Sequence, residues 1–475
     1  MKKIIIFGAS SGGQKVFNFI KQFQGYEICF FLDNSPKTND FLGLKLIQAK
    51  KFLENEECRD YYYCIGSAYR DEIFLQLINA GIDKSHIFSK IDILQQNKEY
   101  FSNKVLESDD LISVTEHLKK PTLILDLLNG FGLGGVEKWS YNLASEYMND
   151  REVILLGNES EGDPPEEFND NSCCIDVLDS NDYNYESVRK IKDFIKKHLP
   201  CTVYCAHIND LLIACIALKQ IVGEQLKIVS VIHGGLPHIL NDNIAVYGEV
   251  DYFLCVSPDS KKYMERNTND HGKKVLFKES PVILPDSNHR KYTLDVMEPL
   301  KIAYAARLEK THKHSELLLP LITRMEEENV NYKLDVAGDG TLFDRIYEFI
   351  QSNNLQEKVT MLGKLDYDDM EQFWLNHDVA INLSECEGCS IAMLESMSAA
   401  AVPIFTNVFS TEYFITDNWN GYVVPYNDIE KMVESIKKLN NNRENLEVMG
   451  MRSRKVIEVK CNLNDYVNYL KEHVI

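Results

Sequence analysis

The chain is short of positive charge. Its 51 lysines and arginines stand against 72 aspartates and glutamates, a formal net charge of -21 over 475 residues. Such a surface repels polyanions, which excludes a general nucleic-acid binder and a broadly membrane-attracted face, leaving at most a local patch for peripheral membrane contact. Long apolar runs are also missing. No stretch reaches the roughly 18 residues needed to cross a bilayer, and the opening MKKIIIFGASSGG turns polar too quickly for a secretory signal. The 12 cysteines lack paired spacing. Several (Cys29, Cys64, Cys205, Cys255) sit in apolar runs, as reduced thiols of a cytoplasmic protein do. Cys386 and Cys389 form a C-x-x-C with no second pair, which falls short of a metal site, and no metal is expected.

What is present is ordinary globular material, 44% hydrophobic and 26% charged, long enough for about three domains. Short Val/Ile/Leu/Tyr runs end in Gly, Ser, Asp or His and are followed by amphipathic stretches. That alternation predicts an α/β fold of parallel sheets covered by helices. A first block, 1–104, carries strands KIIIFG, YEICFFLD and DYYYCIG, with helices at about 12–23 and 69–80. The charged, Asn-rich stretch 92–120 reads as a linker with one helix, its boundaries set at 105–120. A second block, 121–295, carries TLILDLL, REVILLG, TVYCAH, LKIVSVIHG and DYFLCVS. A third, 296–460, carries LKIAYAA, YKLDVAG, KVTMLG, DVAINLS and VPIFT, and a last helix lies in 461–475. VRKIKDFIKKHL, 188–199, reads as a sheet-covering helix with a solvated lysine face.

In open parallel sheets ligands bind beyond the carboxyl ends of the strands. In the second block those ends carry Gly134-Gly135-Val136-Glu137, His207, His233-Gly234-Gly235 and Ser257. In the third they carry Arg307 with Lys313 and His314, then Gly338-Asp339-Gly340, then Ser384-Glu385-Cys386-Glu387-Gly388. Glycines, cations, imidazoles and carboxylates thus gather on one edge of each sheet, as they would around a cleft between twin domains. Arg307 and Lys313 suit a diphosphate. Gly134 and Gly135 let backbone amides approach an oxyanion. Gly388, Cys389 and Ser390 precede the apolar helix SIAMLESMSAA, whose amino end offers free N–H groups to a phosphate or sugar oxygen. Glu387 lies before that helix and Glu395 inside it, so the two acids reach different parts of one extended polar ligand.

These residues resemble the GT-B glycosyltransferases of family 4, over about 121–460. The E-x7-E element Glu387–Glu395 is the most specific mark. The G-G-x-E loop, the R-L…K segment and G-D-G-T-L (338–342) follow the family's order. The resemblance implies two Rossmann-like domains facing a cleft, and retaining, metal-independent transfer from a nucleoside-diphosphate sugar to a glycan or lipid-linked glycan, in bacterial surface polysaccharide or glycoconjugate synthesis. It implies that Arg307 and Lys313 hold the diphosphate, with Gly135 against the phosphates and Gly338 and Gly340 in the donor-domain loops. Glu387 would bind the donor sugar and Glu395 the ribose, with His233 near the reacting sugar from the acceptor side. Cys389 stands where the family often has an aromatic residue or Met.

The first block resembles the small Rossmann-like domain on bacterial sugar acyltransferases. Ser10, Ser11 and Gly12 would cradle phosphates and Asp33 would hold a ribose. Tyr100 and Lys104 form a Y-x-x-x-K inside the presumed linker, which reads as coincidence. His207 reads as a satisfied core histidine. The added domain is a plausible place for self-association into a homo-oligomer. The alternatives to a transferase are a non-catalytic sugar-nucleotide-binding subunit of a glycan-synthesis complex, and a bifunctional protein whose first domain modifies a nucleotide sugar.

Overall fold

The computed structural model describes residues 1–475 except 107–119, 132–133, 158–163, 175–181, 271 and 287–289. Three sheets organise them. The first comprises β1 (Lys2–Phe7), β2 (Tyr26–Asp33), β3 (Asp40–Phe41), β4 (Leu44–Gln48), β5 (Tyr62–Ile65) and β6 (Ile87–Phe88), in the order β3-β4-β2-β1-β5-β6. Only the β3–β4 pair is antiparallel. Ile4 to Phe7 are all buried, as a parallel strand covered on both faces requires. Helices Ser11–Ile20 and Arg70–Asn79 follow β1 and β5.

The second set is β7 (Thr122–Asp126), β8 (Leu128–Phe131), β9 (Val153–Gly157), β10 (Ser172–Cys174), β11 (Cys201–Cys205), β12 (Leu226–Ile232), β13 (Tyr252–Cys255) and β14 (Val275–Phe277). Its sheet runs β10-β9-β7-β11-β12-β13-β14, parallel throughout. The third comprises β15 (Leu300–Ala305), β16 (Tyr332–Ala337), β17 (Val359–Gly363), β18 (Val379–Ile381), β19 (Val402–Thr406) and β20 (Tyr422–Val424), parallel in the order β17-β16-β15-β18-β19-β20. Both large sheets reverse their winding once, between β7 and β11 and between β15 and β18. Crevices of doubly wound sheets open at such points.

The linker reading needs correction. Residues 90–105 form two helices, Lys90–Gln96 and Lys98–Val105, the first closed by a capping box of Ser89 and Asp92. Ile91, Ile93, Leu94, Phe101 and Val105 are buried in a core that runs unbroken from the first sheet into the second. The Lys, Asn and Gln that suggest a linker mark the outer faces of these helices. Most of the expected 105–120 linker, residues 107–119, lies outside the described residues. The lysine face of helix Tyr185–Lys197 is not wholly solvated either. Lys192 is 1% exposed, with its Nζ 3.4 Å from the Val105 carbonyl and 3.2 Å from Asp193.

The last helix, Leu463–His473, returns to the second sheet. Trp139 Nε1 donates to the Tyr466 hydroxyl at 2.8 Å, and Lys227 Nζ donates to the Val474 carbonyl at 2.7 Å. The chain therefore crosses between the two large sheets twice, which ties them together. Among the described residues no helix is long and apolar enough to cross a membrane.

Candidate functional site

The loops after β15 and β18 meet at the reversal of the third sheet. Gly338 (φ 136°) and Gly340 (φ 149°) take backbone angles that side-chain-bearing residues avoid. A Cβ on Gly338 would lie 1.9 Å from the Ala306 carbonyl oxygen, and one on Gly340 2.7 Å from that of Leu308. Leu308 N donates to Asp339 O at 2.9 Å and Leu342 N to Leu308 O at 2.8 Å. Both glycines therefore brace the segment that presents Arg307. The Arg307 side chain is 67% exposed, with Glu309 as a distant partner at 4.0 Å.

Lys313 and Glu387 are in contact. Lys313 Nζ donates to Glu387 Oε1 at 2.5 Å, and Ser384 Oγ donates to the same oxygen at 2.7 Å. Ser384 is held in turn. Its amide donates to Asn382 Oδ1 at 2.9 Å, and Asn382 Nδ2 donates to its hydroxyl at 3.0 Å. Thr406 Oγ1 lies 2.9 Å from Asn382 Oδ1 and 2.7 Å from Ser384 O. The Lys313 loop is pinned to the Glu387 loop by Glu385 N donating to His312 O at 2.8 Å and by the His314 Nε2 to Glu385 contact at 2.9 Å. His312 and His314 adopt left-handed φ of 63° and 47°, a strain typical of residues fixed by function-bearing loops.

Glu395 lies elsewhere on this face. Its side chain is 17% exposed. Burial raises its pKa, and this is partly offset by Lys138 at 3.9 Å and by Trp374 Nε1, which donates to it at 3.2 Å. A carboxyl raised in the folded state contributes stability that is present below its unfolded pKa and lost as pH rises through the folded one. Glu395→Gln should therefore raise the melting temperature at pH 7, with the gain fading as the pH falls to the carboxylate range. Paired thermal scans at pH 7 and pH 4.5 check this.

The second sheet brings its loops against these. A Cβ on Gly388 would sit 2.0 Å from the His233 carbonyl oxygen, and one on Gly235 2.6 Å from the Glu387 carbonyl oxygen. Gly134 caps helix Gly135–Tyr147, and a Cβ on Gly135 would meet Ile391 Cγ1 at 2.9 Å. Burial, with the nearby charge of His207, lowers the His233 pKa to about 3. The imidazole is therefore neutral at physiological pH. Its Nε2 is buried without a hydrogen-bond partner among the described residues, and Trp139 packs edge-on at 5.4 Å. Burial also lowers the pKa of His207.

Ser390 is the N-cap of helix Ile391–Ser398, its Oγ accepting from Met393 N at 3.3 Å, which leaves its O–H as a donor. The Cys389 side chain packs against the cores of both large domains. Burial pushes its thiol up to about 12 and that of Cys386 up to about 11. No group of three or more His, Cys, Asp or Glu able to hold a metal occurs among the described residues.

In the first domain, Gly12 and Gly13 pack on the Gly66 and Gly8 backbones. Ser10 Oγ donates to Gly66 O at 3.3 Å, and the Asp33 carboxylate accepts from Ala9 N at 3.1 Å and Ser35 N at 2.8 Å. Asp33 thus already organises the first loop. Tyr100 and Lys104 are neighbours on helix Lys98–Val105, with Lys104 Nζ 5.8 Å from the Tyr100 ring.

Sequence reasoning missed Lys138, Trp374, Asn382 and Thr406, and it named Ser384 at its strand end without giving it a role. Lys138, three positions after Gly135, and the polar residues closing β18 and β19 were the available signals.

Residues 286–456 match the family model described as glycosyl transferases group 1, and residues 1–88 the one described as C2185-like, N-terminal. Curated relatives include the poly(ribitol-phosphate) alpha-N-acetylglucosaminyltransferase of Staphylococcus aureus (strain COL), 27% identical over 33% of this chain and 31% of that protein. Another is the N-acetyl-alpha-D-glucosaminyl L-malate synthase of Bacillus anthracis, 23% identical over 50% of this chain and 65% of that one. The chain thus spans less than two thirds of the length of these relatives. Among solved structures, Anabaena HepE in complex with UDP aligns with a TM-score of 0.59 at 13% identity, over 74% of this chain and 99% of that one. Staphylococcus aureus TarM in complex with Fondaparinux, alpha-GlcNAc-glycerol and UDP aligns with a TM-score of 0.53 at 14% identity, over 100% of both chains. The protein has the GT-B fold, preceded by a third, smaller Rossmann-like sheet, and its second GT-B domain matches the model of glycosyl transferases group 1.

Proposed function

We propose that the chain is a retaining glycosyltransferase of family 4, moving a sugar from a nucleoside-diphosphate sugar to a hydroxyl of a glycan or lipid-linked glycan without a metal. The observation that carries this reading is the Lys313–Glu387–Ser384 cluster at the reversal of the third sheet, faced by His233 and Gly235. The UDP named for HepE and TarM, and the N-acetylglucosaminyl group named for the two curated relatives, favour UDP-N-acetylglucosamine as the first donor to test. The poly(ribitol-phosphate) named for the Staphylococcus aureus relative favours a bacterial glycoconjugate as the acceptor.

In this reading Lys313 and Arg307 neutralise the diphosphate as it departs with the electrons of the bond between the sugar C1 and phosphate oxygen. Cations set in place beforehand lower the cost of that developing charge. Glu387, oriented by Lys313 and Ser384, accepts hydrogen bonds from donor-sugar hydroxyls, and Glu395 accepts from the ribose. The acceptor oxygen bonds to C1 on the face the diphosphate leaves, and its proton passes to the departing phosphate oxygen, so configuration is retained. His233, neutral, orients the sugar.

The test is nucleoside-diphosphate release from a panel of UDP-, GDP-, ADP- and CDP-sugars, with saccharide acceptors, with and without EDTA. UDP release that survives EDTA and disappears in Glu387→Ala is expected. Release that requires a divalent cation, or that persists in Glu387→Ala, contradicts the reading.

A further inference from the structure

The N-terminal domain grips one element of the second. Arg70, at the start of helix Arg70–Asn79, donates from both terminal nitrogens to Asp242, at 2.8 and 3.0 Å. Asp71 Oδ2 lies 2.7 Å from His238 Nδ1. The four side chains are 16–26% exposed, so these are partly desolvated contacts between charge-bearing groups rather than loose surface pairs. Asp242 and His238 both belong to helix Pro237–Ala245, in the second domain. Its far side packs toward the second sheet through Asn243, whose Oδ1 accepts from the Ser230 hydroxyl at 2.7 Å.

That helix continues directly from residues 233–236, the wall that meets the donor-side loop. Gly235 lies against the Glu387 carbonyl and the Phe409 ring, and the His233 carbonyl lies against Gly388. Only Leu236 and Pro237 separate Gly235 from His238 along the chain. The acidic turn also reaches the third domain's side of the cleft. Glu72 is close enough to His312 to act on its charge, as is Asp71 on Cys386. The docking is reinforced by the core shared between the first and second sheets and by an ion pair between Lys98 and Glu249.

We propose that Arg70 and Asp71 are positioning residues: through Asp242 and His238 they clamp helix Pro237–Ala245 and thereby set the acceptor-side wall, residues 233–236, against Glu387 and Gly388. This rests on the transferase reading above. The N-terminal domain is then a working part of the cleft. Its loss is felt in acceptor use rather than in donor binding, because Lys313, Ser384 and Glu387 are held by the third sheet's own loops.

The test uses the full-length chain with Asp71→Asn and with the exchanged pair Asp71→His, His238→Asp. Hydrogen exchange reads local opening of 233–245 directly. Asp71→Asn should speed exchange there about tenfold while β12 and β15 keep their protection. Calorimetric UDP affinity should stay within about twofold, while the specificity constant for a p-nitrophenyl glycoside acceptor falls about tenfold; the exchanged pair should recover most of that loss. Unchanged exchange at 233–245 overturns the clamp, whatever the chain's activity. So does an equal loss of UDP affinity, or failure of the exchanged pair to recover either reading. Failure of the transferase reading shows itself separately, as wild-type protein that binds no UDP while the exchange result still decides the clamp.

Discussion

Lys313→Ala should abolish sugar transfer, lowering kcat by about 10³-fold or more while the melting temperature moves by only a few degrees. The Lys313 ammonium donates to Glu387, the first acid of the E-x7-E element, its one bonded side-chain partner among the described residues. An ammonium has three donors. One is directed at Glu387, which leaves others for a phosphate oxygen. Removing the side chain deletes the charge that meets the departing diphosphate and also releases Glu387, which keeps only Ser384. The fold survives because the Lys313 loop is held by its backbone, through His312 O and Glu385 N. Lys313→Arg should recover little, since a planar fork does not reproduce a point charge at 2.5 Å from a carboxylate. Steady-state rates of UDP release and thermal scans of the two variants check this.

Gly388→Ala should cost about 10²-fold in transfer, with a stability loss of about 1–3 kcal/mol. The added methyl would stand 2.0 Å from the His233 carbonyl oxygen and 2.7 Å from its carbon. Both are backbone atoms, so no side-chain rotation relieves the overlap. The two loops must part, which moves His233 and Gly235 away from Glu387. Ser410, whose hydroxyl donates to Gly388 O at 3.1 Å, would be displaced as well. Gly248→Ala is the control: a Cβ there meets nothing within 4 Å, and both rate and stability should stay near wild type. Urea unfolding and transfer rates on the pair separate a local clash from a general glycine effect.

The repeating strand-then-helix pattern was legible because buried parallel strands are short continuous apolar runs, such as Ile4–Phe7 and Leu123–Leu125, ending in small or polar residues. Edge strands β3, β10, β14 and β20 were not legible, since two or three residues carry no period and their pairing is decided by distant neighbours. Helices Lys90–Gln96 and Lys98–Val105 were hidden by their polar outer faces. Their inward residues matter only once the first and second sheets come together. The site divides in the same way. Lys313, Glu387 and Glu395 stood out as unusual residues in their local context. Lys138 and Trp374, which hold Glu395 from 257 and 21 positions away along the chain, are defined only by the folded surface. Ser390 and Cys389 stood out by their place in the motif, whereas the helix cap of the one and the packing of the other between two cores belong to the fold. The grip of Arg70 and Asp71 on helix Pro237–Ala245 left no mark that spacing alone reveals.

The measurement that tests the central claim most directly is calorimetric titration of UDP into the wild-type chain and into Lys313→Ala, both in EDTA. The site described here predicts one UDP bound per wild-type chain without a divalent cation, and a clear loss of affinity in Lys313→Ala. Absence of binding by the wild type, or equal affinity in both proteins, would place the nucleotide site elsewhere and contradict the account.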